Sequence, residues 1–181
     1  MTIVVVPYDP AWPGRFQQLR RRIWPVVADV AVSIEHVGST AVPGLAAKPV
    51  IDIDVIVPSA AEVPLAIERL ATIGYQHLGD LMVTGREAFR APAGSVAHHL
   101  YVCPAGVLSV RNHLALRDHL RAHPEAAAAY GALKLKLASE TDDIDVYIAG
   151  KTDLVATFLA AEGLQPDELA VIAGINRPEP G

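Results

Sequence analysis

The chain has 181 residues, which suits one domain with a tail, and 51% of them are apolar, so whole-chain disorder is not expected. A net charge of −5 argues against a general nucleic-acid or anionic-membrane binder, which is ordinarily basic. The one cysteine, Cys103, excludes an internal disulfide and fits a reducing, cytoplasmic compartment; no secretory leader and no membrane span are expected.

Residues 3–6 read as an edge strand or an extended arm. Asp9 and Pro10 then read as a helix start, the aspartate as N-cap and the proline at the first helical position. Trp12, Phe16, Leu19 and Ile23 follow at helical spacing, and Pro25 ends or kinks that helix. Arg20, Arg21 and Arg22 read as its solvated face. The β-branched run 30–37 predicts a strand closing at Gly38. Pro43-Gly44 marks a turn, and 49–57 alternates as a second strand, with Ile51, Ile53 and Val55 on one face. A helix over 61–73 stops at Gly74. Segments 81–90 and 96–103 read as an antiparallel hairpin around a five-residue loop. Helices are predicted over 110–122, 124–139 and 143–161, and a weakly ordered tail over 164–181. The expected fold is therefore α+β: one domain over 1–163, with a small mixed β-sheet flanked by helices and a helical C-terminal half.

The chemistry lies in one spacing. Gly38-Ser39 closes the first strand, and Asp52-Ile53-Asp54 lies in the next. Side chains alternate along a strand, so Asp52 and Asp54 share a face, with Cα atoms about 6.5–7 Å apart. Two such carboxylates suit Mg²⁺ or Mn²⁺. A glycine turn allows close backbone approach, its amides can face a phosphate, and the Ser39 hydroxyl adds a donor. An Asp-x-Asp strand is also common as a solvated sheet face, and Gly-Ser as a plain turn. It is the combination that points to metal-assisted phosphoryl or nucleotidyl transfer.

The run from His36 to Leu45 (HVGSTAVPGL), followed by Ala47 to Val55 (AKPVIDIDV), resembles the GrpB family. The resemblance continues through His98-His99-Leu100, Leu116 to Arg121, Tyr130 and Lys134, and ends near Tyr147, Gly150 and Lys151. It implies the nucleotidyltransferase fold, whose pattern is Gly-Ser, a spacer, acid-x-acid, and a third carboxylate on a later strand. Gly38, Ser39, Asp52 and Asp54 match. The strand expected to carry the third acid offers His98, His99 and Tyr101 instead. His99 is open to several readings: metal ligand, general base, phosphate partner or structural histidine.

Thr40 belongs to the phosphate turn, and Lys48 precedes the acidic strand, where it either contacts a triphosphate or is solvated. Arg86 and Arg90 are four apart in an expected strand, so they share a face as phosphate candidates. The resemblance adds Arg117, Lys134 and Lys151, from three helices, as lining of an anion pocket. The expected partner is a nucleotide or phosphorylated small molecule. The expected function is metal-dependent nucleotidyl transfer from a nucleoside triphosphate to an unknown acceptor. The alternative is a non-catalytic nucleotide or phospho-metabolite binding module with a degenerate site.

Overall fold

The computed structural model describes residues 3–176. Val6 pairs with Ala47 through a single bridge, so the N-terminal residues form an arm. Helix α1, Trp12–Val27, starts two residues later than expected: Ala11 is its N-cap, and Asp9 instead closes the preceding turn by accepting from the Ala11 amide at 2.8 Å. Trp12, Phe16, Leu19 and Ile23 are all buried, and each such side chain contributes about 1.5–3 kcal/mol of hydrophobic stabilisation. Pro25 does not end α1. It sits in the last turn, exposed, where its missing N–H removes one hydrogen bond at the helix margin.

Strands β1 (Ser33–Val37), β2 (Ile51–Val57), β3 (Gln76–Gly79), β4 (Glu87–Arg90) and β5 (His98–Pro104) form one sheet in the order β1-β2-β5-β4-β3. β2 and β5 run parallel at the centre, and the other pairs are antiparallel. Helix α2, Val63–Ala71, follows a 3₁₀ turn closed by the reciprocal Ser59–Glu62 capping box. Helices α1 and α2 cover one sheet face, where Ile51, Ile53, Val55, Leu100 and Val102 form the main core. On the other side lie α3 (Leu108–Ala122), α4 (Pro124–Glu140), α5 (Ile144–Ala161) and α6 (Pro166–Asn176). These four helices pack around a second core that includes Leu45, Leu120, Phe158 and Leu159.

Three further expectations are corrected. The expected hairpin strand starting at 81 begins only at Glu87, because Gly79, Leu81, Met82 and Gly85 all have positive φ and break extended pairing. The edge strand β3 was not foreseen; it is short and its first three residues are exposed, so it lacks a buried alternation. Residues 166–176, expected as a weakly ordered tail, form α6, which packs against α5 and buries Ile172. The rest of that expected tail, 177–181, lies outside the described residues.

Candidate functional site

The ladder register builds the site. β1, β2 and β5 place Val37, Asp52 and His99 side by side, and Glu35, Asp54 and Tyr101 in the row beneath. Opposed residues point to the same face, so five polar side chains meet under α3. Asp52 and Asp54 share this face as the alternation requires, but their environments differ. Asp52 lines an open cavity of about 310 Å³, and its Oδ1 accepts from His99 Nδ1 at 2.9 Å. Asp54 is fully buried. Its Oδ2 accepts from His113 Nδ1 at 2.8 Å, while its Oδ1 has no hydrogen-bond partner among the described residues. Burial disfavours the His113 cation, but the Asp54 charge and hydrogen bond, with Asp52 adding, outweigh it and hold the His113 pKa above its ordinary value.

Gly38 makes this geometry possible. Its φ of 69° and ψ of −175° lie in a region essentially restricted to glycine. A Cβ there would lie 2.2 Å from Asp52 Oδ2. Gly38→Ala is therefore expected to destabilise the fold by about 3 kcal/mol, lowering Tm by roughly 6–12 °C. In an Asp52→Ala background the same substitution should cost less, because the nearest clashing atoms are gone. Thermal unfolding of the four proteins checks this; equal losses in both backgrounds would contradict the close packing.

The turn after Gly38 is a 3₁₀ segment, Ser39–Ala41, held from two sides. The Thr40 hydroxyl donates to the Val50 carbonyl, which leaves its oxygen to accept from His36 Nε2 at 3.0 Å. Burial lowers the His36 pKa to about 4, so this ring is neutral and structural, stacked on Phe16. Arg121 donates twice to the Ala41 carbonyl, at 2.8 and 2.9 Å.

Opposite Asp52 the cavity has a wall of lysines and tyrosines. Lys134 is 2% exposed, and its Nζ has no hydrogen-bond partner among the described residues; it lies 4.6 Å from the Tyr130 ring centre. Lys151 and Lys48 lie 4.2 and 5.8 Å from the ring centre of Tyr147, whose buried hydroxyl likewise has no hydrogen-bond partner among the described residues. None of the three lysines makes an ion pair among the described residues. Burial, with Lys151 nearby, lowers the Lys134 pKa to about 7, against the opposing pull of Asp52. Burial and Lys48 lower Lys151 to about 8. Lysines held without an ion-pair partner among the described residues, beside unpaired donors, are what an anion site requires before its anion arrives.

The expected site residues therefore divide. Gly38, Ser39, Thr40, Lys48, Asp52, His99, Arg117, Lys134 and Lys151 all line the cavity. Arg117 is already neutralised there: its guanidinium bonds Glu35 at 2.9 Å, Asp118 at 2.7 Å and the His36 carbonyl. It ties α3 to β1 rather than offering a free charge. Arg86 lies outside a strand and stacks on Tyr101, 4.5 Å from its ring centre, lining a small recess with Asp52 and His113. Arg90 does not reach the site. It is exposed and bonds Gln76 across β4 and β3, because only Arg90 of the pair lies within β4. His98 is structural: its Nδ1 donates to the Val96 carbonyl and its Nε2 accepts from the Tyr75 hydroxyl. Cys103 is a core residue, its thiol pushed up to about 12 by burial.

Sequence reasoning missed His113, Arg121 and Glu35. His113 lies 59 positions from Asp54, and no spacing rule links them. Glu35 could have been found, since it alternates with Val37 toward Gly38. It supplies a third carboxylate on this face, from β1 rather than β5, although Arg117 engages it. Asp52, Asp54, His99 and His113 bring two carboxylates and two imidazoles to this face, but no three of them converge within 4.8 Å as a preformed metal cluster would; Asp54 Oδ1 is buried without a hydrogen-bond partner among the described residues.

The sheet, with its acid-x-acid strand and glycine turn, defines a nucleotidyltransferase-like fold. The Cid1 poly(U) polymerase, solved with MgGTP bound, matches with a TM-score of 0.54 at 14% identity, over 78% of this chain and 46% of that one. Within that fold the chain belongs to the GrpB family, whose model, described as GrpB protein, matches residues 2–161. Protein GrpB of Enterococcus faecalis matches in structure with a TM-score of 0.77 and 32% identity, covering 93% of this chain and 99% of that one. UPF0157 protein YqkA of Bacillus subtilis is 33% identical over 156 residues, which is 86% of this chain, while the match spans 46% of YqkA. No helix among the described residues is long and apolar enough to cross a membrane.

Proposed function

We propose that this cavity binds the polyphosphate of a nucleotide together with Mg²⁺ or Mn²⁺, and that the chain transfers the nucleotidyl group to an acceptor. One observation carries the reading: three lysines with no ion-pair partner among the described residues line the same cavity as Asp52. Ser39 with the adjoining turn amides, and Lys48, Lys134 and Lys151, would hold the phosphates, while the Thr40 hydroxyl stays committed to Val50 and His36. Asp52 and Asp54 would hold the cation, and the His113 imidazole beside them favours Mn²⁺ over Mg²⁺. The cation would neutralise developing charge on the phosphoryl oxygens.

His99 donates through Nδ1 to Asp52, which leaves the Nε2 lone pair free toward solvent. It is placed to take the acceptor's proton. The acceptor oxygen bonds the α-phosphorus, the bond to the β-phosphate's bridging oxygen breaks, and pyrophosphate leaves with the electron pair. The lysines stabilise that leaving charge.

The position of His113 over Asp54 favours a second reading, a binding module in which the buried carboxylate never reaches a cation. Pyrophosphate release with Mn²⁺ across a panel of nucleotides and acceptors tests the first reading. Nucleotide-dependent thermal stabilisation with no product under any condition would select the second, and neither binding nor turnover would sink both.

The lysines set a pH dependence. Lys134 near 7 and Lys151 near 8 are largely neutral in the free protein at pH 8.5. A bound polyphosphate favours their charged forms, so binding at pH 8.5 should take up protons, approaching roughly two per site, and affinity should fall as pH rises above 8. Calorimetry of tripolyphosphate binding in buffers of different ionisation enthalpy measures this uptake; zero uptake at pH 8.5 would contradict the proposed anion wall.

A further inference from the structure

At the C-terminal end of α3, away from the cavity, His119 and His123 stand one helical turn apart, and Glu162 at the end of α5 faces them. The imidazoles are tilted at 34° to one another, with ring centres 4.5 Å apart. His119 Nδ1 donates to Glu162 Oε1 at 2.8 Å, and His123 Nδ1 donates to Glu125 Oε1 at 3.3 Å. One ligand atom from each of His119, His123 and Glu162 falls within 4.8 Å of the others. His119 is buried and fixed by stacking on Phe158 at 5.0 Å, whereas His123 and Glu162 are exposed and free to adjust.

We propose that His119, His123 and Glu162 form a second metal site, selective for a first-row transition ion and for Zn²⁺ in particular. Zn²⁺ takes imidazole nitrogen and carboxylate oxygen at about 2.0–2.2 Å, so a modest rotation of the two exposed side chains brings all three into reach. Two nitrogens and one oxygen suit Zn²⁺ and disfavour Mg²⁺ and Ca²⁺, which prefer all-oxygen sets. The ion takes the place of the proton shared by His119 and Glu162. Glu125 orients His123 from outside, as carboxylates do for ligating histidines. Because the three ligands come from the end of α3, the start of α4 and the end of α5, the ion joins three helices at the rim of the second core. None of the three lines the nucleotide cavity, so the inference stands independently of the proposed function.

The test is a competitive Zn²⁺ titration of the full chain, using a chromophoric chelator, with Co²⁺ absorption as a geometric readout. Three proteins are compared: wild type, His123→Ala, and the double variant Asp52→Asn with His99→Ala. His123 is exposed, so its removal leaves the core intact. Wild type is expected to bind Zn²⁺ with a rise in Tm. His123→Ala should lose one equivalent and its share of the Co²⁺ d–d bands, and the double variant should keep both. Glu125→Gln should weaken the same equivalent by roughly 10–100-fold. No Zn²⁺ binding by wild type, an unchanged stoichiometry in His123→Ala, or loss of all binding in the double variant overturns the proposal.

Discussion

Lys134→Met is expected to raise Tm by roughly 4–8 °C at pH 7, a gain of about 2 kcal/mol, while reducing polyphosphate affinity at least tenfold. The stability argument starts from burial. The Lys134 Nζ is buried without a hydrogen-bond partner among the described residues, next to Lys151, and its pKa falls to about 7. In the unfolded chain an ordinary lysine stays charged to about 10.4, so at pH 7 the buried site disfavours folding by roughly 4 kcal/mol. Methionine has similar bulk and no charge, and recovers part of that. The sign follows from the protons. Between pH 7 and 10.5 the unfolded state binds more protons at this residue, so wild-type stability rises with pH through that window. The advantage of the variant should therefore shrink as pH rises and vanish near 10.5. Differential scanning calorimetry from pH 6.5 to 10 reads this directly. A lower Tm with unchanged polyphosphate binding would remove Lys134 from the anion site.

The two aspartates are expected to separate function from stability. Asp52→Asn should leave the unfolding free energy within about 1 kcal/mol, because asparagine still offers an oxygen to His99 at a partly exposed position. Under the proposed nucleotidyl transfer it should reduce Mn²⁺-dependent pyrophosphate release by roughly 10²–10⁴-fold, the scale of several kcal/mol of metal-based charge stabilisation. Asp54→Ala is a different experiment. It removes one partner of a buried ion pair and strands His113, so it should cost about 3–5 kcal/mol and lower Tm by roughly 6–20 °C. Adding His113→Leu should restore much of that loss, since removing both partners leaves no isolated charge. Denaturant unfolding of the single and double variants measures the coupling. Equal stability losses for Asp52→Asn and Asp54→Ala would contradict the division between an open and a sealed carboxylate.

That division also marks the limit of sequence reading at this site. Strand alternation put Asp52 and Asp54 on one face, and the ladder agrees. Which of them meets solvent depends on α3, whose His113 covers Asp54 alone. The same limit explains the arginines. Arg86 and Arg90 share a face only if both lie in a strand, and the left-handed residues Leu81 and Met82 delay that strand until Glu87. Lys134 was a candidate from its family position, but its burial was not visible. α4 carries it on a face closed by Leu45, Tyr130 and the neighbouring helices, and lysines on helices usually remain in water.

Local chemistry in the sequence by itself determined the strand bearing Asp52 and Asp54, the apolar stripe of α1, and the Gly38 turn that lets backbone touch a carboxylate. These rest on periodicities of two and 3.6 residues and on one backbone conformation, all of which act over a few neighbouring residues. Only the tertiary structure decided that Lys48, Lys134 and Lys151 share a wall with Tyr147, and that His113 rather than a third β5 acid closes over Asp54. Desolvation and counter-charge depend on what is brought near from elsewhere in the chain, and no local pattern encodes them.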